Sequence, residues 1–173
     1  MEMKTSNLGI KLIEYFEGLH DGDLTQIGLQ PKLCPAGVWT VGYGHALTDY
    51  EGNLLRSNTS IERVRKIYPE LSDITEQMAE ELLREDLIFY EGIVSSKLKR
   101  EVKQHEFDAI VSHTYNTGGS ETLFKLINTN APEIEIKQWW TKKYISSAGK
   151  ILNGLIKRRR SEWILYNTGE LIT

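Results

Sequence analysis

The chain has 173 residues, of which 40% are hydrophobic and 26% are charged, a composition typical of a globular protein and unlike that of a disordered or collagen-like chain. Its 21 basic and 24 acidic residues give a net charge of −3, which argues against a polycation built to bind nucleic acid. Eight basic residues and no acid lie between Lys137 and Arg160, which predicts a local positive field on an acidic protein. We expect Arg158 to Arg160 to form a solvated helix face.

The sequence gives no sign of a disulfide, a metal site or a membrane segment. Cys34 is the one cysteine, and its spacing from the four histidines matches no structural zinc pattern, so we expect no metal. Acidic residues at positions 2, 14 and 17 interrupt the N-terminal apolar pattern, and no stretch reaches the length of a membrane span. We therefore expect a protein without a signal peptide that is cytoplasmic at synthesis and does not insert into a membrane.

The first predicted element is a helix that begins at a Ser6 or Asn7 cap and ends at Gly18, because its apolar residues recur at intervals of four. Glu17 then lies at the C-terminal end of this helix. From there to about Ser57, glycines and prolines separate short β-branched and aromatic runs, which predicts a small antiparallel sheet with loops.

The pattern becomes helical beyond Pro69, with Thr75 as the predicted cap of a long helix. Asp86 falls on the apolar stripe of that helix, where a carboxylate needs a cation or a hydrogen-bond donor from elsewhere. A further helix ends at Gly118, and shorter helices are predicted over residues 122–128, 134–144 and 155–166. Adjacent residues on a helix point in different directions, so of Trp139 and Trp140 we expect one in the core and one half-exposed.

These elements predict an α+β fold that is mostly helical and forms a single domain over residues 1–173. Its predicted parts are a small β-containing lobe over about 17–70, a long connecting helix over 75–97, and a larger helical lobe made of 1–16 and 98–173.

Glu17 is a candidate general acid. The partial negative charge of a helix C-terminus and desolvation by Phe16 and other apolar neighbours both raise the pKa of a carboxyl group at this place. A carboxyl group that is protonated near neutral pH is what a general acid requires. A solvated glutamate without a function is the alternative that its position alone leaves open.

The segment from Cys34 to His45, CPAGVWTVGYGH, is the most specific stretch of the chain. Two glycines flank Tyr43 within this β-rich run, which indicates a tight backbone or the close approach of a ligand, and Thr40 offers a hydroxyl group nearby. A plain hairpin with turn glycines is the alternative interpretation.

Four motifs in this order resemble the phage-type lysozymes, the endolysin glycosidases of tailed phages. They are FEGL at 16–19, CPAGVWTVGYGH at 34–45, FDAIVS and YNTG within 107–118, and GLIKRRR at 154–160 followed by Glu162. The resemblance implies a lysozyme-like fold and a muramidase that hydrolyses the β-1,4 bond between N-acetylmuramic acid and N-acetylglucosamine in bacterial peptidoglycan. It also implies that no metal and no organic cofactor is needed.

The resemblance assigns roles to individual residues. It makes Glu17 the acid that protonates the leaving oxygen and Thr40 the residue that holds the attacking water. Where the commonest family pattern has an aspartate before this threonine, the chain has Cys34, and an inserted loop from about Asp21 to Lys32 precedes it.

Three interpretations of this departure are open. The thiol of Cys34 replaces the carboxylate as base or nucleophile, or Cys34 is a spectator beside Thr40 and water, or Asp21 or Asp23 supplies the second acid. A cysteine has only a few per cent thiolate at pH 7, which favours the spectator or a supporting polar role over a nucleophile.

The resemblance also pairs His45 with Asp86 in a buried ion pair, which gives the carboxylate its partner. Such pairing raises the pKa of the histidine and lowers the pKa of the aspartate. We interpret this pair as structural.

Four residues are candidate substrate contacts, namely Tyr43, Gly44, Tyr115 and Asn116. The resemblance places the last two at the cleft-facing end of a helix, where an aromatic face and an amide suit a pyranose and its acetamido group. Core packing for Tyr115 and helix termination for Asn116 are the alternatives.

Other functions are considered beside the lysozyme. A lytic transglycosylase needs only a lone glutamate, and a peptidoglycan-binding relic of a lysozyme needs none. A DNA-binding helix carrying Arg158 to Arg160 has little support, since one basic cluster gives few phosphate contacts. We expect a monomer whose partner is peptidoglycan, which binds no nucleic acid and which reaches the wall through a phage holin or after lysis.

Overall fold

The structure is a computed structural model that describes residues 3–23, 25, 26 and 28–173. Positions 1 and 2 of the predicted helical lobe and positions 24 and 27 of the predicted inserted loop lie outside the described residues. The chain divides into two compact units, Glu17–Asp86 and the pair of segments Met1–Phe16 and Leu87–Thr173. Helices dominate and the sheets are small and antiparallel, which confirms the predicted α+β class. That residues 1–173 act as a single domain stays a prediction.

A three-stranded antiparallel sheet lies in the unit Glu17–Asp86, as predicted. Its strands are β1 (Lys32–Leu33), β2 (Trp39–Val41) and β3 (His45–Ala46), in the order β1-β2-β3. Thr40 on the central strand faces Lys32 on one side and Ala46 on the other.

The predicted inserted loop leaves one edge of this sheet and returns to it. His20 pairs with Gly42 beyond the end of β2, and Lys32 pairs with Thr40 on the same edge. The antiparallel register places residue 21 opposite residue 41, so the described residues between 22 and 31 lie outside the ladder, between two of its consecutive positions. The backbone N–H of Gly22 donates to the carbonyl of Gln30 at 2.9 Å, and this hydrogen bond closes the base of the loop.

The same unit becomes helical earlier than predicted. Helix α2 (Ile61–Ile67) begins after Ser60, whose side chain accepts from the backbone of the first turn, and a short 3-10 helix follows at Pro69–Asp73. Helix α3 (Glu76–Lys97) is capped by Thr75 as predicted, because its Oγ1 accepts from a backbone N–H at 3.2 Å. The apolar core of this unit consists of Leu29, Val41, Leu47, Leu55, Val64, Leu71, Ile74 and Ala79.

The second unit, in the part that the structure describes, consists of helices and one small hairpin. Its elements are most of α1 (Asn7–Glu17), the C-terminal half of α3, α4 (Gln104–Thr117), α5 (Glu121–Asn128), α6 (Glu133–Lys142), β4 (Ser146–Ser147), β5 (Lys150–Ile151) and α7 (Asn153–Thr168). The side chain of Ser6 caps α1, and Gly118 ends α4 in a left-handed conformation, both as predicted. The β4–β5 hairpin was not predicted, since its strands of two residues carry no alternating pattern.

The expected solvated arginine face is wrong for two of its three members. Arg158 and Arg159 are 3% and 0% exposed, whereas Arg160 is exposed. Both buried guanidinium groups form ion pairs with Glu162, which is itself fully buried. These three charged side chains of α7 therefore lie in the protein interior. Trp140 is fully buried and its neighbour on the helix is half-buried, as predicted for the tryptophan pair.

Candidate active site

Glu17 is the last residue of α1, as predicted, and its side chain is half-buried. Gly18 follows with φ +69°, a left-handed conformation that ends a helix at little cost only for glycine. The local sequence therefore fixes Glu17 at the point where the chain leaves the helix and enters the unit with the sheet.

Thr40 lies in the middle of β2 and is 4% exposed. Its Oγ1 donates to the backbone carbonyl of Lys32 at 3.1 Å and lies 3.1 Å from Nδ1 of His20. A backbone hydrogen bond of 2.6 Å from N–H of His20 to the carbonyl of Gly42 holds the histidine beside the strand. His20 carries no local signal in the sequence, because its contact with Thr40 depends on the strand register and not on a motif.

Cys34 begins the turn that joins β1 to β2. Its carbonyl accepts from N–H of Gly37 at 2.8 Å, and its own N–H donates to the carbonyl of Val38 at 2.8 Å. The side chain is half-buried and the thiol is free. The main chain of Cys34 thus shapes the turn. These hydrogen bonds do not involve the thiol, so they do not distinguish between a base, a nucleophile and a spectator.

Asp21 and Asp23 have contacts that build the inserted loop. Oδ1 of Asp21 accepts from the backbone N–H groups of Asp23 at 3.2 Å and Gln30 at 3.0 Å. Asp23 accepts from the hydroxyl and the backbone N–H of Thr25 and from the amide of Gln26. These donors, led by the Thr25 hydroxyl, lower the pKa of the Asp23 carboxyl. The two aspartates therefore have a structural function in the loop, whichever group supplies the second acid.

The predicted contact between His45 and Asp86 is confirmed. Nδ1 of His45 lies 3.1 Å from both carboxylate oxygens of Asp86. The side chains are 27% and 30% exposed, so the pair is only half-buried, whereas the sequence led us to expect a buried one. The hydrogen bond to Asp86 raises the pKa of His45 above its usual value, against the opposing effect of burial.

The two glycines beside Tyr43 form the turn between β2 and β3. Gly42 and Gly44 have φ values of +61° and +92°, which glycine adopts without strain. A Cβ on Gly42 would lie 2.9 Å from Cβ of Ala79, so the close approach that the sequence indicated at Gly42 is that of helix α3. Tyr43 is half-buried and packs against the apolar core of the same unit.

Tyr115 and Asn116 lie in the last turn of α4, in the other unit. The Tyr115 ring packs edge-on against Tyr90 with ring centroids 4.9 Å apart, and it is half-buried. Asn116 is exposed, and its side-chain oxygen accepts from the guanidinium of Arg159 at 2.8 Å. The arginine thus fixes the orientation of the Asn116 amide. A contact of either residue with substrate stays a prediction.

Within residues 3–23, 25, 26 and 28–173, no three histidine, cysteine or acidic side chains are grouped so that they could hold a metal ion. In the same part of the chain, each helix is too short or too polar to cross a membrane. The burial of two of the three consecutive arginines also removes most of the basic face on which the DNA-binding alternative rested.

Residues 23–162 match the family model described as phage lysozyme. The chain is 33% identical to the endolysin of Bacillus phage B103 over 97% of its length, and it spans 56% of the length of that relative. It is 31% identical to the endolysin of Acyrthosiphon pisum secondary endosymbiont phage 1, and this match covers 96% of the chain and 99% of the relative. A solved structure, the endolysin from Escherichia coli O157:H7 phage FAHEc1, is similar with a TM-score of 0.69 and 28% identity, covering 100% of this chain and 99% of that chain.

The helices, the small antiparallel sheets and the similarity to a solved endolysin structure define the class of lysozyme-like α+β proteins. Within that class, the chain belongs to the phage lysozyme family. The family model matches from residue 23 onward, so Glu17 lies outside the matched range and its role stays a prediction.

Proposed function

We propose that this chain is a glycoside hydrolase that lyses bacterial peptidoglycan by cleaving the β-1,4 bond between N-acetylmuramic acid and N-acetylglucosamine. The observation that carries the proposal is the match to phage endolysins over nearly the whole chain, with Glu17 at the end of the first helix and Thr40 on the central strand. The chain spans about half the length of the Bacillus phage relative. The proposed activity is therefore argued from the residues of this chain and not from the whole of that relative.

In this mechanism Glu17 is the general acid. Its carboxyl group protonates the leaving glycosidic oxygen while a water molecule, positioned by the hydroxyl of Thr40, attacks the anomeric carbon. The half-buried side chain at the end of α1, in the same compact unit as Thr40, supports this role. Cys34 has a supporting role in our proposal, since its main chain shapes the turn before the strand of Thr40.

We assign the substrate contacts as the sequence suggested them. The half-buried ring of Tyr115 suits the face of a pyranose, and the Asn116 amide, held by a guanidinium, suits an acetamido group. The turn at Tyr43 and Gly44 offers further backbone and ring contacts, while the ion pair of His45 stabilises its unit. The proposed partner is peptidoglycan, which a monomer reaches after holin-mediated or lytic release.

The experiment that tests the proposal is product analysis by mass spectrometry. Purified peptidoglycan is incubated with the wild type, with Glu17→Gln, and with Glu14→Gln, a control one helical turn earlier in α1. We expect reducing muropeptides from the wild type and the control, and a loss of turnover of about 10²- to 10⁴-fold in Glu17→Gln, which cannot give up a proton.

The other outcomes identify the alternatives. Anhydro-muramic ends from the wild type would show a lytic transglycosylase, which uses a lone glutamate. Binding without any product from the wild type would show a relic that has lost catalysis. Equal turnover of wild type and Glu17→Gln would refute the assignment of Glu17.

A further inference from the structure

The site contains a histidine for which neither the sequence motifs nor the mechanism above gives a role. Two carboxyl groups are the usual requirement for hydrolysis of a glycoside, one as acid and one to activate the water or to attack. At the matching positions this chain has one carboxyl group, on Glu17, and a thiol on Cys34. His20 lies three residues after Glu17, so the two Cα atoms are at most about 11 Å apart.

The sheet places the His20 ring against Thr40. His20 stands opposite Gly42 on the edge of β2, and antiparallel pairing puts it diagonally across from Thr40 on the same face. Since Gly42 has no side chain, the neighbour within reach of the imidazole on that face is the threonine hydroxyl, 3.1 Å from Nδ1. The backbone bond of 2.6 Å between His20 and Gly42 fixes this position.

The proton count at Thr40 decides which ring nitrogen carries hydrogen. The hydroxyl has one proton and two neighbours at 3.1 Å, the carbonyl of Lys32 and Nδ1 of His20. A carbonyl oxygen only accepts, so the hydroxyl proton goes to Lys32 and the other hydrogen bond must come from N–H at Nδ1. In the neutral ring the lone pair is then on Nε2, because the hydrogen bond at one nitrogen sets the state of the other.

We propose that His20 is the general base of the hydrolysis, with Thr40 as the residue that orients its ring. This inference rests on the proposed function and supplies the second group that the motif lacks. The buried hydroxyl of Thr40 holds the His20 ring, and the carbonyl of Lys32 holds that hydroxyl. Catalytic imidazoles are commonly oriented in this way, by a further group that fixes their tautomer.

The step balances as a single displacement. The water oxygen forms a bond to the anomeric carbon as the glycosidic C–O bond breaks, and Glu17 gives its proton to the leaving oxygen. The water loses a proton to Nε2 of His20, so the products are a carboxylate and an imidazolium. Exchange with solvent then removes the imidazolium proton and reprotonates Glu17. The configuration at the anomeric carbon is inverted.

The test compares His20→Ala and His20→Asn with the wild type on soluble peptidoglycan chains. Asparagine places an amide N–H where Nδ1 lies, so it keeps the hydrogen bond to Thr40 but has no basic nitrogen. We expect kcat to fall by about 10²-fold or more in both variants with KM nearly unchanged. The control is His105→Ala, which removes another half-buried histidine, bonded at 3.0 Å to main-chain carbonyls of α7, and should keep wild-type turnover.

Sodium azide gives a second measurement that separates loss of the base from loss of the fold, because only a folded variant can be rescued. Azide is an anionic nucleophile that needs no base, so we expect it to restore turnover in His20→Ala and to yield a glycosyl azide, visible by mass spectrometry. Full activity of His20→Asn would overturn the proposal in favour of a hydrogen-bonding role alone. An unchanged kcat in His20→Ala would overturn it as well, and so would the absence of an azide product from a His20→Ala variant that melts like the wild type. A wild type that forms no reducing products would instead refute the proposed function itself.

Discussion

The buried arginine and glutamate network of the helical unit permits a quantitative test by the substitution Glu162→Gln. Four donors converge on the Glu162 carboxylate, which is 0% exposed. Oε1 accepts from Ser112 at 2.9 Å, from Nη2 of Arg159 at 3.0 Å and from Nε of Arg158 at 3.2 Å, while Oε2 accepts from the Trp140 indole at 3.1 Å. The substitution replaces one acceptor oxygen with an NH₂ group and removes the negative charge with which both buried guanidinium groups form ion pairs.

The expected loss is large because the arginines stay buried. Breaking a buried ion pair by removing one partner costs about 3–5 kcal/mol, since the remaining charge is left uncompensated in the interior. In a chain of this size, 1 kcal/mol lowers the melting temperature by about 2–4 °C. The melting temperature of Glu162→Gln should therefore fall by roughly 6–20 °C. Burial lowers the pKa of Arg159 and Glu162 opposes this effect, so loss of the carboxylate removes the group that favours the charged guanidinium.

The assay is thermal unfolding followed by circular dichroism at pH 7. The matched control is Glu80→Gln, which breaks the ion pair between Glu80 and Arg84, also within one helix but with side chains 42% and 39% exposed. An exposed pair of this spacing contributes about 0.3–0.5 kcal/mol, so the control should melt within about 2 °C of the wild type. A Glu162→Gln variant that melts as close to the wild type as the control does would refute the reasoning.

Two further substitutions test the unit that carries the sheet. Asp86→Asn removes the anion that raises the pKa of His45, so its stability cost should be fully present below the ordinary histidine pKa of about 6.5 and should shrink as the pH rises through the folded value. Both side chains are half-buried, so we expect about 1 kcal/mol or less in urea unfolding at pH 5.5, and a cost that does not change up to pH 9 would contradict this assignment. Gly42→Ala should lower the midpoint of urea unfolding by more than Gly52→Ala, because both positions have positive φ but only the first places a Cβ 2.9 Å from Ala79. Equal losses in the two variants would show that backbone strain alone matters.

The sequence predicted the elements whose signals are local. Gly18 and Gly118 end their helices where the pattern placed them, and Thr75 caps the long helix. Glu17 could be placed at a helix end for the same reason, since a glycine stop directly after it is visible in the sequence. These signals need only neighbours within one helical turn, and they do not depend on how distant segments pack.

The burial of Arg158 and Arg159 was not visible in this way. A run of three arginines usually covers a solvated face, and helix α7 has no clear apolar stripe because its buried side includes charged residues beside Trp163. What makes the burial possible is Glu162 together with donors from α4 and α6, distant in sequence. Burial of charge depends on such partners, so the residues on one helix do not reveal it.

The contact of His20 with Thr40 depends on the register of the sheet, and the register also explains how the site tolerates the inserted loop. The chain leaves the edge of β2 after the position opposite Val41 and returns opposite Thr40, so the ladder continues on both sides of the loop. A change of one residue in the return point would turn every following side chain to the other face of the sheet. Because the loop closes on itself between two consecutive positions, its length does not enter the geometry at Thr40. Strand pairing therefore brings the side chains of His20 and Thr40 together, and the length of the loop between them does not.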